Sequence, residues 1–185
     1  MFNSDEKQLL LHTSHISIQA GLQRNRPYAP DLSEYPVRLR EHLASFVTLK
    51  INGQLRGCIG TTSPVSPLIT SIADNAYAAA FRDPRFPSLT KNEYKHINIS
   101  ISILGPSKEI QFTSEQDIIA QLRPGIDGLI IEREGHKATF LPAVWESLQN
   151  AEDFLFHLKH KAGISMSSPP TRAWSYQAFS IEERF

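Results

Sequence analysis

Asn52-Gly53 constrains this chain more than any other pair of residues. The dipeptide suits a two-residue hairpin turn, whose central positions both need positive φ. It stands between Ala44–Lys50, rich in β-branched and aromatic side chains, and Gln54–Thr61, which reads as the returning strand. A hairpin here commits the fold to antiparallel pairing. The return carries the run Leu55-Arg56-Gly57-Cys58-Ile59-Gly60, with the only cysteine between two glycines and two residues after an arginine. In an extended segment Arg56 and Cys58 point to one side, and the glycines leave that side open.

The remaining patterns agree with a mixed fold. Ser4-Asp5-Glu6 can cap a helix carrying Leu9, Leu10, Thr13, Ile16 and Ala20 at spacings of three and four, with Gly21 near its end. Residues 22–36, with three prolines, read as an irregular excursion. Pro64-Val65-Ser66-Pro67 can open a helix whose stripe is Leu68, Ile72, Ala76 and Ala80. It should stop at Arg82-Asp83, because Pro84 disfavours helical geometry in its predecessor. Asp83-Pro84-Arg85-Phe86-Pro87 then becomes a stiff loop. Ile97, Ile99, Ile101 and Ile103 alternate with polar residues, the period of a strand with one buried face.

Downstream, Glu115–Leu122 predicts a short helix, and Gly128–Glu132 pairs through Glu134-Gly135 with Lys137–Leu141. Pro142–Leu148 and Glu152–Lys161 predict two more helices, the second ending at Gly163, and Arg172–Ile181 a final strand. Strands and helices do not alternate regularly, which predicts an α+β fold with an antiparallel sheet flanked by helices. Residues 1–185 read as a single domain.

A length of 185 residues and 41% hydrophobic content suffice for a continuous core. With 19 basic and 19 acidic side chains, whole-molecule attraction to nucleic acid or an acidic membrane is not expected. No window offers the roughly 20 apolar residues of a membrane span, and Met1–Lys7 lacks the pattern of a secretory signal, so the chain reads as cytoplasmic. One cysteine excludes an internal disulfide and a cysteine-based zinc cluster. His12 with His15, and His157 with His160, are spaced to meet on helices, but each pair lacks a third metal ligand nearby. Trp145, Trp174 and Tyr176 beside Arg172 and Lys137 would suit a stacking platform for RNA, a reading the neutral charge disfavours against ordinary packing.

Val47-Thr48-Leu49, the Leu55–Gly60 run, Pro64, Pro67-Leu68, Ala79-Ala80-Phe81, Asp83-Pro84-Arg85-Phe86, Leu141-Pro142 and Lys161-Ala162-Gly163 together resemble the landmarks of the AMMECR domain family, whose prokaryotic members are called protein A of the AmmeMemoRadiSam system. The resemblance implies a compact α+β domain with a larger lobe around an antiparallel sheet and a smaller lobe beside it, to which residues 1–21 could belong. It also implies a Memo-like protein and a radical-SAM enzyme as partners. This chain lacks the three-cysteine cluster of a radical-SAM protein, so no cofactor is implied here.

Two functional readings follow. In the first, Arg56, Gly57, Gly60, Asp83 and Arg85 line a cleft for a small anionic substrate or modified residue, the guanidinium forks matching carboxylate or phosphate. Cys58 is then the candidate nucleophile, although no histidine lies near it in sequence. In the second, the same surface is a module that binds a protein or peptide without chemistry. The structural counter-reading is that Cys58 is a small packed side chain, the glycines serve close packing, and an arginine pairs with Asp83 to hold the loop.

Overall fold

The computed structural model describes residues 2–183, which divide into two compact units. The first comprises the described residues up to Ile103 together with those from Phe179, and the second is Leu104–Ala178. Helix α1, Ser4–Arg24, belongs to the first and larger unit and packs on α2, Leu68–Phe81. Its cap is Asn3 rather than Ser4: the Asn3 side chain accepts from the Glu6 N–H while Glu6 reaches back to the Asn3 N–H.

The first unit is built on the sheet β2-β1-β3-β8. Strand β1 is Ser45–Ile51, β2 is Gln54–Thr61, β3 is Ile97–Leu104 and β8 is Ala178–Glu182. Asn52 and Gly53 take φ of 51° and 77°, the turn their chemistry predicts. Pairing Val47 with Ile59 and Ile101, and Leu49 with Gly57 and Ile99, puts the apolar positions on one face. Val47, Leu49, Ile99 and Ile101 are fully buried in one core with Ile69, Ile72 and Ala76 of α2 and Leu10 and Ile18 of α1. The other face, with Thr48 between Cys58 and Ser100, is only half-buried.

The second unit pairs its strands as β4-β7-β5-β6, from Lys108–Glu109, Arg172–Tyr176, Gly128–Arg133 and His136–Phe140. Helices α4, Glu115–Gln121, and α5, Ala151–Ala162, supply Ile118, Phe154 and Leu158 to its core. Gly163 ends α5 in the left-handed region, as its position predicts. The segment expected as one final strand is two: β7 and β8 join different sheets on either side of Gln177. An unbroken run of β-favouring residues does not say which neighbour each half will find.

Of the aromatic residues read as a platform, Trp145 and Tyr176 are buried and Trp174 is half-buried. Trp145 is buried, stacks on Phe154 at 3.9 Å and donates its indole N–H to the Asp127 carbonyl at 2.7 Å. The cations beside Trp174, Arg172 and Lys137, are each paired, with Glu109 at 3.0 Å and Glu132 at 3.8 Å. Among the described residues no helix is long and apolar enough to cross a membrane.

Candidate functional site

The Leu55–Gly60 run and the Asp83–Phe86 loop meet along the outer edge of β2. As the first strand of its sheet, β2 leaves one row of backbone groups without a strand partner. At Cys58 that row is closed by side chains: its N–H donates to Asp83 Oδ2 at 2.9 Å, and its carbonyl accepts from Arg85 Nη2 at 3.4 Å. Asp83 and Arg85 thus stand in for one pair of a neighbouring strand.

Helix α2 delivers the loop. It stops at Arg82, and the Leu89 N–H donates back to the Ala80 carbonyl at 2.8 Å, folding the loop over the helix end. Asp83 is 4% exposed, and its carboxylate accepts from Arg85 Nε at 2.9 Å, Arg85 Nη2 at 2.7 Å and the Arg85 N–H at 3.1 Å. The Arg85 hydrogen bonds, and then the Cys58 N–H, outweigh burial and hold the Asp83 carboxyl down at about 2. Ordinarily it would titrate near 3.8. A depressed native value stabilises the fold above the ordinary value and is lost as pH falls through the native one. Asp83→Asn is therefore expected to flatten the acid limb of a stability profile between about pH 4 and 2. Equilibrium unfolding at stepped pH checks this, and an unchanged limb would count against the pairing.

Arg56 does not pair with Asp83. The ladder slips between Leu49 and Lys50, so Leu49 faces Gly57, Lys50 faces Leu55, and Arg56 is the extra residue of a bulge. Its side chain is enclosed, donating from Nε to Glu93 Oε1 at 2.9 Å, and from Nη2 to Glu93 Oε2 at 3.3 Å and the Pro87 carbonyl at 2.8 Å. Nη1 is buried and has no hydrogen-bond partner among the described residues. The guanidinium carbons of Arg56 and Arg85 lie 5.6 and 5.5 Å from the Phe86 ring centre, within cation–π reach.

Glu93 was not singled out from sequence, although Thr90-Lys91-Asn92-Glu93 is a capping box for helix α3, Lys91–Tyr94. Its carboxylate accepts from Arg56 and from the N–H and hydroxyl of Thr90, both at 2.9 Å. Arg56 first, and then the Thr90 N–H, bring its carboxyl down to about 2.

Both glycines of the run are explained by packing. A Cβ on Gly57 would lie 2.0 Å from the Ala79 carbonyl oxygen of α2, and one on Gly60 would lie 2.2 Å from the Ser45 oxygen and 2.4 Å from the Phe46 ring. The space beside them holds this protein's own atoms rather than the open side expected from sequence. Cys58 is half-buried, and the Thr48 hydroxyl donates to its Sγ at 3.2 Å. That contact brings a hydroxyl, not a base, to the thiol. Among the described residues no group of three or more histidine, cysteine, aspartate or glutamate side chains is placed to hold a metal.

The profile of the AMMECR1 family matches residues 11–182. The chain belongs to the AMMECR1 family. Among its AMMECR1-like relatives, a protein of Methanothermobacter thermautotrophicus is 36% identical over 97% of this chain and 95% of that one. Another, from Methanocella arvoryzae, is 43% identical over 65% of this chain and 62% of that one. The crystal structure of the uncharacterized protein PH0010 from Pyrococcus horikoshii superposes with a TM-score of 0.91 at 27% identity, covering 100% of this chain and 94% of that one. The family's two-lobed α+β architecture is the one seen here, with both sheets antiparallel wherever strand pairs are described.

Proposed function

We propose that this AMMECR1-family protein is a non-catalytic protein-binding module, and that the β2 edge with the Asp83–Phe86 loop is its contact surface. The observation that carries this reading is that both arginines are closed bidentately on carboxylates of the same chain, Arg56 on Glu93 and Arg85 on Asp83. Nε and Nη2 of each guanidinium, the fork that would grip a carboxylate or phosphate, are already taken by the protein's own carboxylates. Cys58, with a hydroxyl donor beside it, gains no proton acceptor from these contacts.

The same arrangement suits a partner protein. The Arg85 side chain is 50% exposed yet held by Asp83 and the Phe86 ring, so it loses little freedom on binding. Leu55 adds an apolar side chain 43% exposed, and arginine with aromatic neighbours is the composition of energetic hot spots. The partners implied by the family resemblance are a Memo-like protein and a radical-SAM enzyme, in the cytoplasm.

A photoreactive phenylalanine derivative placed at Leu55 is expected to form an adduct with the purified Memo-like or radical-SAM protein. Leu55→Asp, which leaves both ion pairs intact, should weaken that complex about tenfold or more, because it places an unpaired charge in the contact. Binding that proceeds without any adduct at Leu55 and is indifferent to Leu55→Asp would overturn the reading. Saturable binding of inorganic phosphate that is lost in Arg85→Ala would support the anionic-substrate alternative instead.

A further inference from the structure

The first unit holds a cavity of about 1020 Å³ lined by α1, by the segment from Tyr94 to Ile97 and by the end of β8, none of them part of the β2 edge or the Asp83–Phe86 loop. Three titratable groups far apart in sequence form a hydrogen-bonded chain on its wall. Glu183 Oε1 meets His15 Nε2, and His15 Nδ1 lies 2.9 Å from the Tyr94 hydroxyl. The second carboxylate oxygen of Glu183 accepts the Ile99 N–H at 2.9 Å, which fixes its orientation. His15 therefore does not turn toward His12, the neighbour its spacing suggested.

A carboxylate only accepts, so Nε2 carries hydrogen and Nδ1 decides the state of the chain. In neutral His15, Nδ1 accepts the Tyr94 O–H, and the phenol has no hydrogen left to offer. In the imidazolium, Nδ1–H donates to the phenol oxygen and frees the Tyr94 hydrogen for another acceptor. Burial, helped by the Glu183 charge and opposed by a bond from Gln19, keeps the Tyr94 phenol above its usual range, so it remains a donor and not a phenolate. Burial acts to raise Glu183, but the bonds from His15 and the Ile99 N–H prevail, and it stays an anion below its ordinary value.

The other charged groups lining the cavity are Lys7 of α1, Lys95 after α3 and Glu182 of β8. With His15 neutral, the two lysines balance the two glutamates. Protonating His15 leaves the wall with a net positive charge beside a free hydroxyl donor. His15 and Glu183 keep 29% and 21% side-chain exposure, so the chain borders the cavity and is not sealed in the core.

We propose that this cavity is a proton-coupled oxyanion site. The carboxylate or phosphate group of a small molecule accepts the Tyr94 O–H and faces Lys7 and Lys95, while His15 takes one proton from solvent at Nδ1. No covalent bond forms or breaks, and the bound anion neutralises the charge that the proton brings.

Titration calorimetry of the full chain with inorganic phosphate, and separately with acetate, tests this in two buffers of different ionisation enthalpy. The arm that binds identifies which oxyanion the site takes. The expected result is a buffer-dependent heat reporting proton uptake and an affinity that rises as pH falls, by at most about tenfold per pH unit for one linked proton. Tyr94→Phe should abolish binding while leaving the melting temperature near that of the parent, and His15→Gln should remove the buffer dependence. Absence of heat with both anions, binding without proton uptake, or equal binding in Tyr94→Phe and Lys95→Ala would each overturn the proposal. The last two variants keep the test decisive if His15→Gln does not fold.

Discussion

Gly57→Ala is expected to destabilise the first unit by about 3 kcal/mol or more, the upper end of the range for overpacked positions. The added methyl would sit 2.0 Å from the Ala79 carbonyl oxygen and 3.0 Å from its carbon. Both are backbone atoms inside α2, so no side-chain rotation relieves the clash. Either β2 or the helix must shift, and α2 runs directly into Asp83, so the shift reaches the Cys58 N–H contact as well. Urea unfolding of parent and variant measures the loss, with Gly105→Ala as the comparison. Its nearest contact is the Gln177 backbone oxygen at 3.3 Å, a far milder approach than the 2.0 Å at Gly57. A Gly57→Ala protein as stable as the parent would show that the helix and strand are not in the contact described. The expected result would also remove the need for a ligand to explain this glycine, because the helix backbone already occupies its open side.

What could be read without coordinates was what local chemistry determines. Asn52-Gly53 specifies a turn by its own torsional freedom, and the isoleucines from Ile97 to Ile103 specify a face by their alternation. The stop at Arg82 follows from Pro84 alone. What could not be read depends on pairing. The bulge at Arg56 exists only relative to β1, and it sends the guanidinium to Glu93 rather than to the nearer arginine-compatible acid, Asp83. Asp83 instead takes Arg85, two residues away, because the turn after α2 folds that side chain back upon it. Glu93 carried a local signal as a capping acid, but nothing local says that the acid's second role is to neutralise a strand residue. The His15–Glu183 contact joins residues 168 positions apart, so no periodicity on either side announces it.

The Arg56–Glu93 pair carries the second large effect. Glu93→Ala is expected to cost about 3 kcal/mol, the lower end for breaking a buried pair, since Glu93 keeps a third of its side chain exposed. The cost arises chiefly at the arginine: Arg56 is 8% exposed, its Nη1 has no hydrogen-bond partner among the described residues, and removing the carboxylate strips Nε of its acceptor and leaves Nη2 only the Pro87 carbonyl. Part of the loss belongs to the α3 cap, and Glu93→Gln separates the two contributions. Glutamine can still serve the Thr90 capping box but brings no charge to Arg56. The expected order of stability is parent, then Glu93→Gln, then Glu93→Ala. Arg56→Met with Glu93→Ala should be more stable than the sum of the single losses predicts, because removing both charges leaves neither stranded. A double-mutant cycle by urea unfolding measures that coupling. Additive losses would mean that the two side chains do not share their energy, and the rigid loop on which the proposed partner surface depends would then need another anchor.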